Sequence, residues 1–221
     1  MRVFLFIKKL SEIDFRIILY IDLNHKIVIL RFNLILKICV IMFIYRYIGG
    51  VYMNDLKKYP EEEIQKLIIN GEVSVGDIVD SGICPTCFDK NNNHVLYGDN
   101  TDKIIYENDK FECFLVGNPR SEGHVAISTK KHFKDMMEID DETCKEIFLI
   151  SKKLMNIIKK IYNSESVYLC TMCDGPMNHF HVQLIPRYSF EKRGSKNFVK
   201  PRFEYKEDKE KLQELRLLMR D

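Results

Sequence analysis

The chain has 221 residues, 46% of them apolar, and a formal charge of only +2. That is enough apolar material for one core plus extensions, and the weak net charge gives no ground for a nucleic-acid or anionic-membrane binder. Seven cysteines, an odd number, without a convincing export signal fit reduced thiols and metal binding better than a disulfide framework.

Residues 1–52 form an apolar and basic extension with only three acids, Glu12, Asp14 and Asp22. Lys8 and Lys9 interrupt the first apolar run, which argues against a signal peptide. Arg31, Lys37 and Arg46 break the stretch Ile27 to Ile48, and its longest charge-free run, Ile38 to Tyr45, falls well short of the roughly 20 residues that span a bilayer. Gly49-Gly50 can be encoded by GGAGGN, a bacterial ribosome-binding sequence, at a suitable distance before Met53. The preferred expectation is therefore that translation starts at Met53, with a membrane anchor or a real soluble extension as the alternatives.

Residues 53–82 read as a helical lead-in. Pro60 followed by Glu61, Glu62 and Glu63 starts a helix, and Asn70-Gly71 stops it. A short polar stretch then reaches Cys84-Pro85-Thr86-Cys87, and Asn91-Asn92-Asn93 is a loop. Ile104 to Glu107 and Phe111 to Val116 predict two strands joined by Asn108-Asp109-Lys110, and His124 to Ser128 predicts a third after the turns at Asn118-Pro119 and Glu122-Gly123. From Asp140 the period becomes helical, with Ile147, Ile150, Leu154, Ile157, Ile158 and Ile161 on one stripe, and Asn163-Ser164 ends it. Val167 to Thr171 and His179 to Ile185 predict two more strands around Gly175-Pro176, and Leu212 to Met219 a last helix. Hairpins, one long helix and two further strands predict an α+β fold with a mainly antiparallel sheet.

Chemistry concentrates in His179-Phe180-His181-Val182-Gln183-Leu184-Ile185-Pro186-Arg187. Side chains alternate along a strand, so His179, His181 and Gln183 share one face while Phe180, Val182 and Leu184 face the core. Two imidazoles and an amide are an unusual choice for a merely solvated surface. The second feature is Cys84-x-x-Cys87, whose two thiolates can grip zinc; a structural site wants four ligands, and His132 and His179 are the candidates for the other two. Cys170-x-x-Cys173 is a rival pair at a strand end, a poorer chelate because residues three apart face opposite ways; a four-cysteine site is the alternative. Cys39, Cys113 and Cys144 read as buried or incidental thiols, and His25 and His94 have no supporting context.

Over Cys84 to Arg187 the sequence resembles the histidine triad (HIT) superfamily, in a zinc-binding branch with an N-terminal Cys-x-x-Cys. Asn118-Pro119-Arg120-Ser121-Glu122-Gly123-His124 resembles the family's Asn-Pro…Gly-His segment, and Lys130-Lys131-His132 its basic-basic-His segment. The resemblance implies a catalytic domain at residues 83–190, with a five-stranded antiparallel sheet, two main helices and a structural zinc. Residues 191–221 are left as a basic loop and C-terminal helix. The family pattern ends in a third histidine, where this chain has Gln183, as in galactose-1-phosphate uridylyltransferase and dinucleoside-polyphosphate phosphorylases. An amide can hold a phosphoryl oxygen but cannot deliver a proton by ionising.

The resemblance implies that His181 attacks the α-phosphorus of a nucleotide and that a covalent nucleotidyl-His181 intermediate forms. Gln183, Asn178 and the turn from Asp174 to Met177 are placed at the phosphate. His124 is counted with the nucleotide-binding residues, as a structural hydrogen-bonder rather than a catalyst. The expected activity is hydrolysis of nucleoside 5′-phosphate derivatives such as dinucleoside polyphosphates; the alternatives are a nucleotidyltransferase or phosphorylase, and a non-catalytic nucleotide-binding module. A homodimer and a cytoplasmic location are expected, with no nucleic-acid partner and no membrane unless residues 1–52 are real. Lys192, Arg193, Lys196, Lys200 and Arg202 form a basic tail that contacts phosphates or is a solvated connection.

Overall fold

The structure, a computed structural model, describes residues 4–6, 18–20, 55–172, 175–206 and 208–220. It divides into two units, 1–54 and 55–221. In the first, β1 (Phe4–Phe6) and β2 (Ile18–Tyr20) pair antiparallel. The stretch Ile27 to Ile48 lies outside the described residues. Among the described residues no helix is long and apolar enough to cross a membrane.

The second unit opens with α1 (Glu61–Ile69), which carries Glu61, Glu62 and Glu63 at the positive end of its dipole. A second helix, α2 (Val75–Asp80), stands where the sequence reads as a polar stretch. Its signal is a capping box: Ser74 Oγ accepts the Asp77 N–H at 3.3 Å, and the Asp77 carboxylate accepts the Ser74 N–H at 2.8 Å. With only six residues, α2 is too short to show helical periodicity. The third helix, α3 (Pro85–Asn91), starts inside the Cys-x-x-Cys, with Cys84 as its N-cap and Pro85 at the first position.

The main sheet contains β3 (Ile104–Glu107), β4 (Phe111–Leu115), β5 (Val125–Thr129), β6 (Ser166–Cys170) and β7 (His181–Arg187) in the order β3-β4-β5-β7-β6. Every neighbouring pair is antiparallel. Between β5 and β6 runs α4 (Asp141–Tyr162), capped by Asp140, whose carboxylate accepts the Thr143 N–H at 2.8 Å. Asn163 ends it in the left-handed conformation, φ 50°. The C-terminal helix α5 is Lys209–Arg220.

One face of the sheet is the core. Phe111, Cys113, Leu115, Val125, Ile127, Val182 and Leu184 meet Ile147, Leu154 and Ile158 of α4 and Leu212, Leu215 and Met219 of α5. Phe180, Val182 and Leu184 point into this core, as their alternation requires. The last strand begins two residues later than its sequence pattern suggests. Phe180 N–H donates to the Phe133 carbonyl at 2.7 Å while its carbonyl still accepts the Thr129 N–H at 3.4 Å, so the regular ladder ends here and His179 turns toward the loop that carries His132.

Candidate active site and metal centre

The opposite face of the sheet forms the floor of a cavity of about 370 Å³. Register places Glu112, Ser128 and His181 in one row across β4, β5 and β7, and Phe114, Ala126 and Gln183 in the next. Helix α3 and the loop after it supply the wall, through Asp89, Lys90, His94 and Tyr97. His179, His181 and Gln183 all line this cavity, although His179 stands just outside the strand.

At one end four side chains converge. Cys84, Cys87, His132 and His179 bring their ligand atoms within 4.8 Å of one another. Cys84 Sγ lies 3.6 Å from His179 Nδ1, and Cys87 Sγ lies 3.4 Å from Nδ1 of both His179 and His132. His179 Nε2–H donates to the Thr129 carbonyl at 2.8 Å, which fixes the tautomer and turns the Nδ1 lone pair toward the thiols. Burial pushes the pKa of His179 down to about 4, so the ring is neutral. Burial and the neighbouring Cys84 push the Cys87 thiol up to about 11. A cation is what would release those protons. These four groups can hold one metal ion. Cys170 lies on β6 and Cys173 outside the described residues.

Next along β7, His181 donates its Nδ1–H to the His179 carbonyl at 2.9 Å. Its Nε2 is therefore the lone-pair nitrogen, on the cavity side, and receives an N–H of the Gln183 amide at 3.2 Å. Behind Gln183 sits His124, 1% exposed. His124 Nδ1 accepts the Arg120 backbone N–H at 3.2 Å, which leaves the proton on Nε2. His124 Nε2 and Gln183 Oε1 are both buried and neither has a hydrogen-bond partner at full geometry, though the nearby Gln183 amide favours a proton on that ring. Burial, then the charges of Arg202 and Arg120, hold the pKa of His124 down at about 3. Its neutral N–H can orient the Gln183 carbonyl and so aim the amide nitrogen at His181.

His124 does not line the cavity, and neither does Asn178. Asn178 gives its amide N–H to the Lys134 carbonyl at 2.5 Å, which ties the approach to β7 to the segment after His132. Its placement is that of a brace. In the turn before it, Asp174 lies outside the described residues, and Met177 does not line the cavity.

Several cavity residues carried no sequence signal. Asp89 is buried and accepts the Leu96 and Tyr97 N–H groups at 2.7 and 3.1 Å while facing His94 Nδ1 at 3.2 Å. It thereby folds the loop that brings His94 and Tyr97 to the wall. Lys90 pairs with Glu112 at 2.8 Å across the wall and floor. Only the folding of α3 over the sheet joins residues 22 positions apart in the chain.

An antiparallel sheet backed by a long helix, with a His-x-His-x-Gln strand beside a Cys/His cluster, is the arrangement of a histidine-triad-type protein. The chain belongs to the HIT domain family, whose model matches residues 97–190. An uncharacterized HIT-like protein of Methanocaldococcus jannaschii is 32% identical over 98 residues, covering 42% of this chain and 75% of that protein. An uncharacterized HIT-like protein of Borreliella burgdorferi is 29% identical over 102 residues, covering 42% of this chain and 73% of that protein. Among solved structures, a hypothetical histidine triad nucleotide-binding protein of Sulfolobus tokodaii is similar at 28% identity and a TM-score of 0.41, over 53% of this chain and 80% of that one.

Proposed function

We propose that this chain binds a nucleotide in the cavity and hydrolyses a nucleoside 5′-phosphate derivative through a covalent nucleotidyl-His181 intermediate. The observation that carries the reading is the state of His181: its Nδ1–H is tied to the His179 carbonyl, and its Nε2 lone pair faces the cavity beside the Gln183 amide. Nε2 forms a bond to phosphorus as the bond from phosphorus to the leaving oxygen breaks. The leaving group departs with that electron pair as a phosphate, which needs no proton from residue 183. The Gln183 N–H that rests on Nε2 in the free protein turns to a non-bridging phosphoryl oxygen. A water oxygen then bonds to phosphorus as the N–P bond breaks, and the water's proton passes to solvent.

Zinc is the ion proposed for the Cys84, Cys87, His132 and His179 cluster. With metal–sulfur and metal–nitrogen bonds of about 2.3 and 2.05 Å, a tetrahedral ion sets sulfur and nitrogen ligands about 3.6 Å apart. The observed separations are 3.4, 3.4 and 3.6 Å. When bound, the ion supplies a structural cross-link. His179 is both a ligand candidate and the donor of the carbonyl that holds His181, so the cluster fixes the nucleophile's tautomer through the backbone. A homodimer belongs to the same reading, with β3 and β6 as the two edge strands of the sheet available for it. A cytoplasmic location also belongs to it, where thiols stay reduced.

The test is nucleotide release by the full chain and its His181→Ala variant from diadenosine tetraphosphate, adenosine phosphoramidate and a nucleotide sugar. Each is run with and without inorganic phosphate. The expected result is a nucleoside monophosphate from the wild type alone, independent of phosphate. Dependence on phosphate would replace hydrolysis by phosphorolysis, and equal release by both proteins would end the role given to His181.

A further inference from the structure

At the end of the cavity away from the Cys/His cluster stands Arg202, within the electrostatic reach of a second arginine, Arg120. Arg202 lines the cavity with His181 and Gln183. The segment that carries it is fastened in place by three hydrogen bonds. Arg202 donates to the Asn118 carbonyl at 2.9 Å, the Phe203 N–H donates to the Pro119 carbonyl at 3.2 Å, and Arg120 donates from Nη1 to the Lys200 carbonyl. A solvated connection would not need this zipper between 200–203 and 118–120.

Arg120 is the neighbour. Its backbone N–H holds His124, and its Nε–H is buried with no hydrogen-bond partner. Among the described residues neither Arg120 nor Arg202 makes an ion pair. Arg120 lines a second pocket with Glu122 and Glu191, and both acids are already engaged, Glu122 by Lys211 at 2.6 Å and Glu191 by Lys200 at 2.5 Å. Burial and the charge of Arg120 together lower the pKa of Arg202. Two guanidinium groups that repel one another are stabilised when an anion approaches the one that borders the cavity. The fork of Arg202 has further N–H donors once the Asn118 carbonyl is served, and phosphate oxygens match that geometry.

We propose that Arg202, backed by Arg120, binds a second phosphate group of the substrate, distinct from the one His181 attacks. This rests on the reading of the cavity as a nucleotide site. The second phosphate has two sources: the β-phosphate of a 5′-diphosphate or longer chain, or a phosphate on the ribose. Both present anionic phosphate oxygens to the Arg202 guanidinium. The substrate class is thereby narrowed to nucleotides carrying at least two phosphate groups, and a 5′-monophosphate derivative with a neutral leaving group would leave Arg202 unused.

Calorimetric titration of the full chain and its Arg202→Gln variant with AMP, ADP and adenosine 3′,5′-bisphosphate, and with the guanosine counterparts, tests this. In the wild type one of the two-phosphate ligands is expected to bind about tenfold or more tighter than its monophosphate, as a charge-assisted contact gives. Tighter ADP or GDP assigns the site to the phosphate chain; tighter 3′,5′-bisphosphate assigns it to the ribose. In Arg202→Gln that ratio falls toward one, and Arg202→Lys restores part of it. A wild-type ratio near one, or a ratio that survives Arg202→Gln, overturns the second-phosphate site while leaving the nucleotide reading intact. Failure of every nucleotide to bind overturns that reading and the second site with it.

Discussion

Replacing Gly123 by alanine tests how the turn before His124 is built. Gly123 has φ +73°, a left-handed conformation that costs an L-residue about 1–2 kcal/mol. A Cβ there would also meet the Tyr162 ring at 2.7, 2.8 and 2.9 Å, well inside ordinary contact. Tyr162 is the last residue of α4 and is buried, so its ring has little room to withdraw. Overpacking of this kind adds about 1–3 kcal/mol, for a total loss of about 2–5 kcal/mol. The control is Gly98→Ala, because Gly98 has nearly the same φ, +75°, and nothing within 4 Å of its Cβ position. It should cost only the backbone share, about 1–2 kcal/mol. Urea denaturation followed by circular dichroism reads both variants. Equal losses at the two positions would refute the claim that contact with α4 makes residue 123 a glycine.

The metal and the buried imidazole give two further expectations. Purified full-length protein should carry one zinc equivalent per chain by elemental analysis. Cys84→Ser should lose it and unfold at a much lower temperature, since structural zinc contributes on the order of 10 kcal/mol in small sites. Cys170→Ser should keep the ion; loss of zinc from Cys170→Ser with retention in Cys84→Ser would move the site to the rival pair. His124, with its pKa held near 3 in the fold and about 6.5 when unfolded, takes up a proton only on unfolding as the pH falls. Its contribution is complete above pH 6.5 and is lost progressively down to about pH 3. Between pH 7 and 5.5 that loss amounts to about 1.3 kcal/mol. His124→Asn should show a shallower decline by about that amount in urea titrations at the two pH values, and an identical decline would remove His124 as the cause.

The strongly patterned parts of the fold were legible in the sequence. Alternation in Phe111 to Val116 and in residues 179–187, and the 3.6-residue stripe after Asp140, located β4, β7 and α4 to within two residues. These segments each bury one face, so the period of burial is written into the order of residue types. The Cys-x-x-Cys, His132 and His179 could be proposed as one metal set because the chemistry of thiols and imidazoles is intrinsic to the residue. The structure then brings their ligand atoms within 4.8 Å. Short α2 was missed because six residues show no period, though its Ser74 and Asp77 cap was in plain view.

Tertiary structure alone decided the roles of residues that have no local pattern. Asn178 and His124 belong to the sequence motif, but packing turns one toward the Lys134 carbonyl and buries the other behind Gln183. Asp89, Lys90 and Glu112 read as ordinary charged residues until α3 lies over the sheet and places them on the cavity wall and floor. Arg202 is one of several basic residues in a tail, and only the hydrogen bonds to residues 118–120 select it for the cavity. Sequence by itself determined which groups can do chemistry and which faces are apolar, since both follow from side-chain type and from the repeat of helix and strand. Contacts between residues far apart in the chain depend on how whole elements pack, and no short stretch of sequence carries that information.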